Sequence, residues 1–243
     1  MTETNVLGLF AHPDDETFRA GGSLAMLAAR GIHVQTLTAT RGEAGSPGTP
    51  ALCTSDELPH VREQELRCAC RALGLAPPII LTYPDGQLSS IEPTKVLSDI
   101  LEAIDRVQPH SIISFGMDGL SGHPDHIAIG QYALIAFHKR EELRAFYTLV
   151  VPQSIVDPLG MTQIRAMPDD RITHTIDVSE VWESKLKAIR CHQTQIHESP
   201  NLNAHPDSQR LFLGKEHFCL LEIRGEGSGQ DGISSDLLSG LAE

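Results

Sequence analysis

The chain has 243 residues, a formal net charge of −13, 40% hydrophobic and 21% charged residues, which suits one sizeable core and excludes intrinsic disorder. So acidic a balance argues against nucleic acid or an anionic membrane surface as the main partner, because both call for clustered Lys and Arg, and no apolar run approaches the ~20 residues of a membrane span. The N-terminus shows no basic leader and the cysteines number an odd, low five, so a cytoplasmic protein with reduced thiols is expected.

Asn5–Ala11 (NVLGLFA) reads as a buried strand. Gly22–Arg30 reads as a helix that stops at Gly31, and Ile32–Thr40 as a second strand. Gly42–His60 is rich in Gly, Pro, Ser and Thr, a long loop of the kind that often carries function. Val61–Leu73 is helical, Pro78–Tyr83 a strand, and Pro93–Val107 an amphipathic helix with proline at its start. Ser111–Phe115 is the next strand, Pro124–His138 the next helix and Phe146–Val151 another strand. Strand–helix alternation at this spacing predicts crossover units: an α/β, Rossmann-like fold, with a mainly parallel sheet, helices on both faces and a single domain. The second half is less regular. Arg171–Val178 reads as a strand, Ser179–Thr194 as a helix and His217–Ile223 as a last strand. One domain is therefore expected over 1–224, followed by a Gly- and Ser-rich mobile tail over 225–243.

Twelve histidines are the unusual count. Two clusters contain them at informative places. His12-Pro13-Asp14-Asp15-Glu16 directly follows the first strand, and His123-Pro124-Asp125-His126 follows the fourth through a Gly-rich loop and opens a helix. Ligands of open α/β sheets bind outside the carboxyl ends of the strands, so both clusters are expected at one edge. Two imidazoles and a carboxylate suit zinc or a neighbouring divalent ion such as Fe²⁺, Co²⁺ or Ni²⁺. The clusters hold more than three such groups, which leaves some for acid–base work. His-Pro-Asp after a strand is also ordinary turn chemistry, with Pro fixing φ and Asp capping the next helix. A third copy, at His205–Asp207, follows no convincing strand and reads as loop.

The chain resembles the LmbE-like (PIG-L) family of metal-dependent N-acetylglucosamine deacetylases. The resemblance rests on AHPDDE at 11–16, GG-x-L at 21–24, TRGEAG at 40–45, R-x-x-E-L at 62–66, PDGQL at 84–88, GHPDH at 122–126 and K-x-x-A-x-x-x-H-x-T-Q from Lys185 to Gln195. It implies metal ligation by His12, Asp15 and His126, a general base in Asp14, and stabilisation of charge on the carbonyl oxygen by His123. It also implies sugar contacts from Arg62 and Asp85. Asp125 either orients an imidazole from behind or caps its helix. For Arg62 and Glu65, an exposed helical ion pair is the plain alternative, and for Asp85 an ordinary turn. Glu43 either borders the site or is solvated in its loop, and His192 reads as a packed polar residue. Cys68 and Cys70 point different ways from one helix and read as buried thiols.

Two positions depart from the family pattern. Arg19 replaces a small residue, and Ser121 stands where some members carry tyrosine. The expected activity is zinc-dependent removal of an acetyl group from an N-acetylglucosamine-type amine of a small glycoside or conjugate. Rival readings are cleavage of another amide in a sugar or thiol conjugate, and a non-catalytic sugar- or nucleotide-binding module. A nucleotide fold would need G-x-G-x-x-G after the first strand, where this chain has HPDDET. The loops Gly42–His60 and Pro152–Asp170 are expected substrate walls. The partner is a small amino-sugar substrate, and the sequence is compatible with a homo-oligomer.

Overall fold

A computed structural model describes residues 4–197, 206–224 and 234–237. Seven strands form one sheet in the order β3-β2-β1-β4-β5-β7-β6. They span β1 (Asn5–Phe10), β2 (His33–Thr40), β3 (Ile79–Tyr83), β4 (Ser111–Phe115), β5 (Ala145–Val150), β6 (His174–Asp177) and β7 (Lys215–Ile223). The first five pair in parallel, while β7 runs antiparallel between β5 and β6. The expected mainly parallel α/β sheet is therefore present. All residues of β4 and β5 are buried, as suits strands covered on both faces.

The strand order explains where the helices go. From β1 the chain steps outward to β2 and β3, then returns past β1 to β4 and β5. Right-handed crossovers therefore place the first helices on one face and the later ones on the other. α1 (Asp15–Ala29) and α2 (Leu58–Ala72) pack with α7 (Trp182–Cys191), and α3 (Pro93–Val107) packs with α5 (Pro124–Lys139). The reversal occurs between the adjacent strands β1 and β4, the switch point where open α/β sheets bind ligands. The two histidine clusters begin at those strands' carboxyl ends.

Several elements differ from their sequence reading. α1 begins at Asp15, seven residues before Gly22, with Asp15 and Glu16 in its first turn beside the helix's positive end. Gly22 lies inside this helix, and a Cβ there would sit 2.5 Å from the Val178 side chain, so the close approach requires glycine. The helix expected to run through Thr194 ends at Cys191; His192 leaves helical geometry (ψ 58°), and a short α8 (Gln193–Ile196) follows. Within 152–170, expected to be irregular, Gln153–Leu159 forms α6. Pro206–Leu213, part of the presumed loop around the third His-Pro-Asp, forms a helix; His205 lies outside the described residues. In the segment expected as a mobile tail, Ser234 bridges to the β6 edge and Leu237 is buried in the core. Residues 225–233 and 238–243 lie outside the described residues.

The thiol expectation needs correction. Cys68 of α2 is disulfide-bonded to Cys191 of α7, with Cα atoms 5.7 Å apart. Cys68 and Cys70 do point apart, and Cys70 is a buried free thiol near Thr36. The partner of Cys68 is 123 positions away, so no local spacing revealed it. Lys185 and Glu216 form a fully buried ion pair at 2.7 Å. Glu216 also accepts the Gly22 and Ser23 N–H groups at 2.8 and 2.7 Å, which ties α7 and β7 to α1. No helix among the described residues is long and apolar enough to cross a membrane.

Candidate active site

His12 leaves the end of β1, and His123 and His126 flank the start of α5. His126 Nδ1 lies 3.1 Å from the Gly119 carbonyl, which makes it the N–H donor and leaves a lone pair on Nε2. Phe115 stacks on the ring, centroids 3.9 Å apart. His12 Nε2 lies 3.3 Å from Asp125 and 3.0 Å from Asp85, so that nitrogen carries hydrogen and, in the neutral ring a metal would bind, the lone pair is on Nδ1. The two lone pairs face one another, His12 Nδ1 to His126 Nε2, at 3.2 Å.

Asp15 completes the triangle. Its Oδ1 is 3.2 Å from His126 Nε2, and its Oδ2 is 3.6 Å from His12 Nδ1. Oδ2 also accepts the N–H groups of Ala11 and His12 at 3.1 and 2.8 Å, which fixes the carboxylate. Ligands about 2.0–2.1 Å from a tetrahedral zinc stand about 3.3 Å from each other. The observed spacings suit such an ion, and the imidazole tautomers present lone pairs to one point. His123 also lies within reach, its ring centroid 4.8 Å from His12 and 4.9 Å from His126.

The charges tell the same story. Burial opposes a charge on His12, but hydrogen bonds to Asp125, Asp15 and Asp85 outweigh it and raise its pKa to about 12. Burial likewise opposes Asp15, yet His126 and His12 hold it well below the usual carboxylate range. The pocket is built for positive charge at the position that His12 and His126 share. His123 differs: burial and the neighbouring imidazoles lower its pKa. Its Nδ1 accepts the Asp125 N–H at 3.2 Å. Neutral His123 therefore carries hydrogen on Nε2 and is a donor without needing a charge.

Asp14 stands apart from its neighbour. Its φ of 115° lies where L residues are strained, typically by about 1–3 kcal/mol. Burial raises its pKa to about 6, against the Arg62 guanidinium, which lowers it.

Arg62 and Glu65 are both buried and do not pair with each other. Arg62 donates to the carbonyls of Pro13 and Gly42 at 2.6 and 2.7 Å and to Asp14 Oδ2 at 3.1 Å. Gly42 is required there, since a Cβ would meet Arg62 Nη1 at 2.2 Å. Glu65 accepts the N–H and hydroxyl of Thr194, each at 2.7 Å. Asp125 is fully buried and accepts Gly86 and Leu88 N–H at 2.7 and 2.9 Å. It sits behind His12, while the helix cap is His123. Asp85 accepts Ala44 N–H, and its own N–H donates to Glu43 at 2.9 Å. Arg19 lies over the Phe212 ring at 3.9 Å, and Ser121 is exposed.

The sequence reading missed one arrangement. Glu16 accepts a hydrogen bond from His192 at 2.9 Å, with both side chains fully buried directly behind Asp14. The His of the last motif was the available signal, but nothing local named its partner.

The chain is similar to proteins of known activity and structure. A 1D-myo-inositol 2-acetamido-2-deoxy-alpha-D-glucopyranoside deacetylase from Mycobacterium sp. (strain JLS) is 30% identical over 275 residues, covering 97% of this chain and 89% of that protein. Among solved structures, N,N'-diacetylchitobiose deacetylase from Pyrococcus horikoshii matches with a TM-score of 0.63 at 22% identity, covering 90% of this chain and 84% of that one. A 4-carboxy-2-hydroxymuconate hydratase from Pseudomonas putida matches with a TM-score of 0.67 at 19% identity, covering 93% and 100%. The fold therefore serves more than one reaction, and the site must distinguish them. The family model for GlcNAc-PI de-N-acetylase (PIG-L) matches residues 7–137, which contain both histidine clusters, Arg62 and Asp85, and this chain belongs to that family.

Proposed function

We propose that the protein is a zinc-dependent hydrolase that removes the acetyl group from the amine of a small glycoside or conjugate containing N-acetylglucosamine. The observation that carries this reading is the pair of imidazole nitrogens, His12 Nδ1 and His126 Nε2, meeting at 3.2 Å beside Asp15, with Asp14 next in sequence. His12, Asp15 and His126 would hold the ion, and Fe²⁺ or another divalent metal suits the same donors. A bound Zn²⁺ supplies a Lewis acid that polarises the acetyl carbonyl and acidifies water at neutral pH.

The remaining work belongs to the side chains. Asp14, with its pKa raised to about 6, is ionised at neutral pH yet basic enough to take a proton from water. It then delivers that proton to the departing amine; such a group contributes roughly 10²–10⁴-fold. Arg62 sits on Asp14 Oδ2 and keeps it from being protonated too early. His123 Nε2–H donates to the carbonyl oxygen as charge grows there, and loss of one such donor typically costs about 10²–10³-fold. The names of the Mycobacterium and Pyrococcus relatives, both deacetylases, support the substrate class.

The test is metal analysis together with acetate release across a panel of N-acetylated amino sugars. Release from at least one panel member, abolished by chelation and restored by zinc, is expected. Asp14→Ala should keep the metal and lose about 10²-fold or more in kcat. Near-normal turnover by that variant refutes the base assignment, and no release from any compound refutes the substrate class.

A further inference from the structure

The metal triangle does not explain how Asp14 is held. Its left-handed backbone (φ 115°, ψ −27°) is one that an aspartate does not keep unaided. Its N–H donates to Glu16 Oε2 at 3.0 Å. Glu16 is fully buried, and its other oxygen accepts from His192 Nε2 at 2.9 Å and from the Thr17 hydroxyl. His192 is fully buried as well and comes from the end of α7, 176 positions along the chain. Two residues on, Thr194 is fixed by Glu65 of α2. From that same helix Arg62 grips the Asp14 carboxylate and the Pro13 carbonyl. Asp14 is thus held at its backbone by one chain of contacts and at its carboxylate by another, and α2 anchors both.

A third carboxylate behind Asp14 and Asp15 is an unfavourable choice for mere packing. Buried charge beside like charge is destabilising unless each oxygen has a specific donor. Both Glu16 oxygens do.

We propose that Glu16 and His192 are a positioning pair that sets the backbone conformation of Asp14 and so the direction of its carboxylate; neither touches substrate or metal. This rests on the reading of Asp14 as general base.

The test compares Glu16→Ala, Glu16→Gln, His192→Ala and His192→Gln in the full chain. Hydrogen exchange of the Asp14 amide is measured by NMR in the metal-free protein; kcat, KM and zinc content are measured in the loaded enzyme. Glu16→Ala should speed Asp14 exchange about tenfold or more, the loss of one hydrogen bond. It should lower kcat about 100-fold, the scale of a general base, with KM and zinc content unchanged. Glu16→Gln keeps a carbonyl that accepts the Asp14 N–H while His192 changes tautomer, and should retain exchange protection and most of kcat. His192→Gln should outperform His192→Ala, because its amide still donates to Glu16. The pair is refuted by unchanged Asp14 exchange in Glu16→Ala, by a kcat loss that excess zinc repairs, or by Glu16→Gln performing no better than Glu16→Ala. Should Glu16→Ala not fold, equal losses in the two His192 variants refute it instead. If wild-type protein releases acetate from no compound, the functional reading fails, while Asp14 exchange still judges the pair.

Discussion

Asp125→Asn perturbs the site without removing any proposed ligand. Asp125 is fully buried; its Oδ1 accepts Leu88 N–H, and its Oδ2 accepts Gly86 N–H and faces His12 Nε2 at 3.3 Å. All three partners are donors. An amide presents one oxygen and one NH₂, so either orientation sets a donor against a donor. One charge-assisted bond is lost in the fold, about 1.5–3 kcal/mol. The effect on metal is separate. Outer partners of a ligating histidine fix its tautomer, and their loss typically weakens metal binding 10–100-fold. Here Asp85 still accepts from His12 Nε2 at 3.0 Å, so the single variant should lie near the lower figure, about tenfold or 1.4 kcal/mol. Asp85→Asn combined with Asp125→Asn should approach about 100-fold. Competition against a chromophoric zinc chelator measures the affinity, and urea unfolding of the metal-free protein measures the fold. Zinc affinity within twofold of wild type, with metal-free stability reduced, would show that Asp125 holds only the 86–88 turn and does not orient His12.

The Cys68–Cys191 bond closes a loop of 123 positions, for which chain entropy gives a ceiling of about 5 kcal/mol. Reduction, or Cys191→Ser, should therefore lower the urea midpoint clearly; an unchanged midpoint would remove the bond from the folded state's support, and thiol titration of the unfolded chain checks that three cysteines are free. His174 and His217 are both kept neutral, chiefly by burial, with pKa values lowered to about 4. The unfolded chain binds these protons near pH 6.5, so their contribution is complete above that value and is lost as pH falls towards 4. Each should cost roughly 2 kcal/mol between pH 7 and 5. A His174→Gln, His217→Gln double variant should show a shallower pH dependence of unfolding free energy, and an unaltered slope would refute the assignment.

The first half of the chain was legible because its strands and helices carry their own periodicity and end at Gly31, Gly74 and Gln108. Where the reading failed, a distant residue was responsible. The first helix reads from Gly22 in the sequence, yet it starts at Asp15, and Gly22 lies against Val178, which leaves no room for a side chain. The presumed single helix through Thr194 stops at Cys191, and Thr194 beyond the break is bound by Glu65. Leu237 belongs to the core through a hydrogen bond from the buried Tyr147 hydroxyl to its carbonyl, which a Gly- and Ser-rich context conceals. The site shows the same division. The convergence of His12, Asp15 and His126 could be read because each cluster is contiguous and follows a strand. The bonds of Arg62 to Pro13 and of His192 to Glu16 join segments that no motif spacing connects.

Asp14 and Asp15 are adjacent carboxylates with opposite electrostatics, and the backbone between them is the reason. Asp15 begins α1, where burial is outweighed by His126 and His12 and its pKa falls, while Ala11 and His12 N–H groups fix its carboxylate. Asp14, one residue earlier, has a positive φ, and burial, with Asp15 and Glu16, outweighs the Arg62 guanidinium and His192, so its pKa rises. Environments that push neighbouring pKa values apart separate an acid–base group from a permanent anion. On the proposed mechanism this is the division required: an anion that stays ionised to hold the metal, and a base that can gain and release a proton near neutrality. Were Asp14 to adopt ordinary helical geometry, its carboxylate would leave Arg62 and the two roles would no longer be separated by the fold. The strain in this one residue, typically about 1–3 kcal/mol, is offset by the bonds that Glu16 and Arg62 make to it.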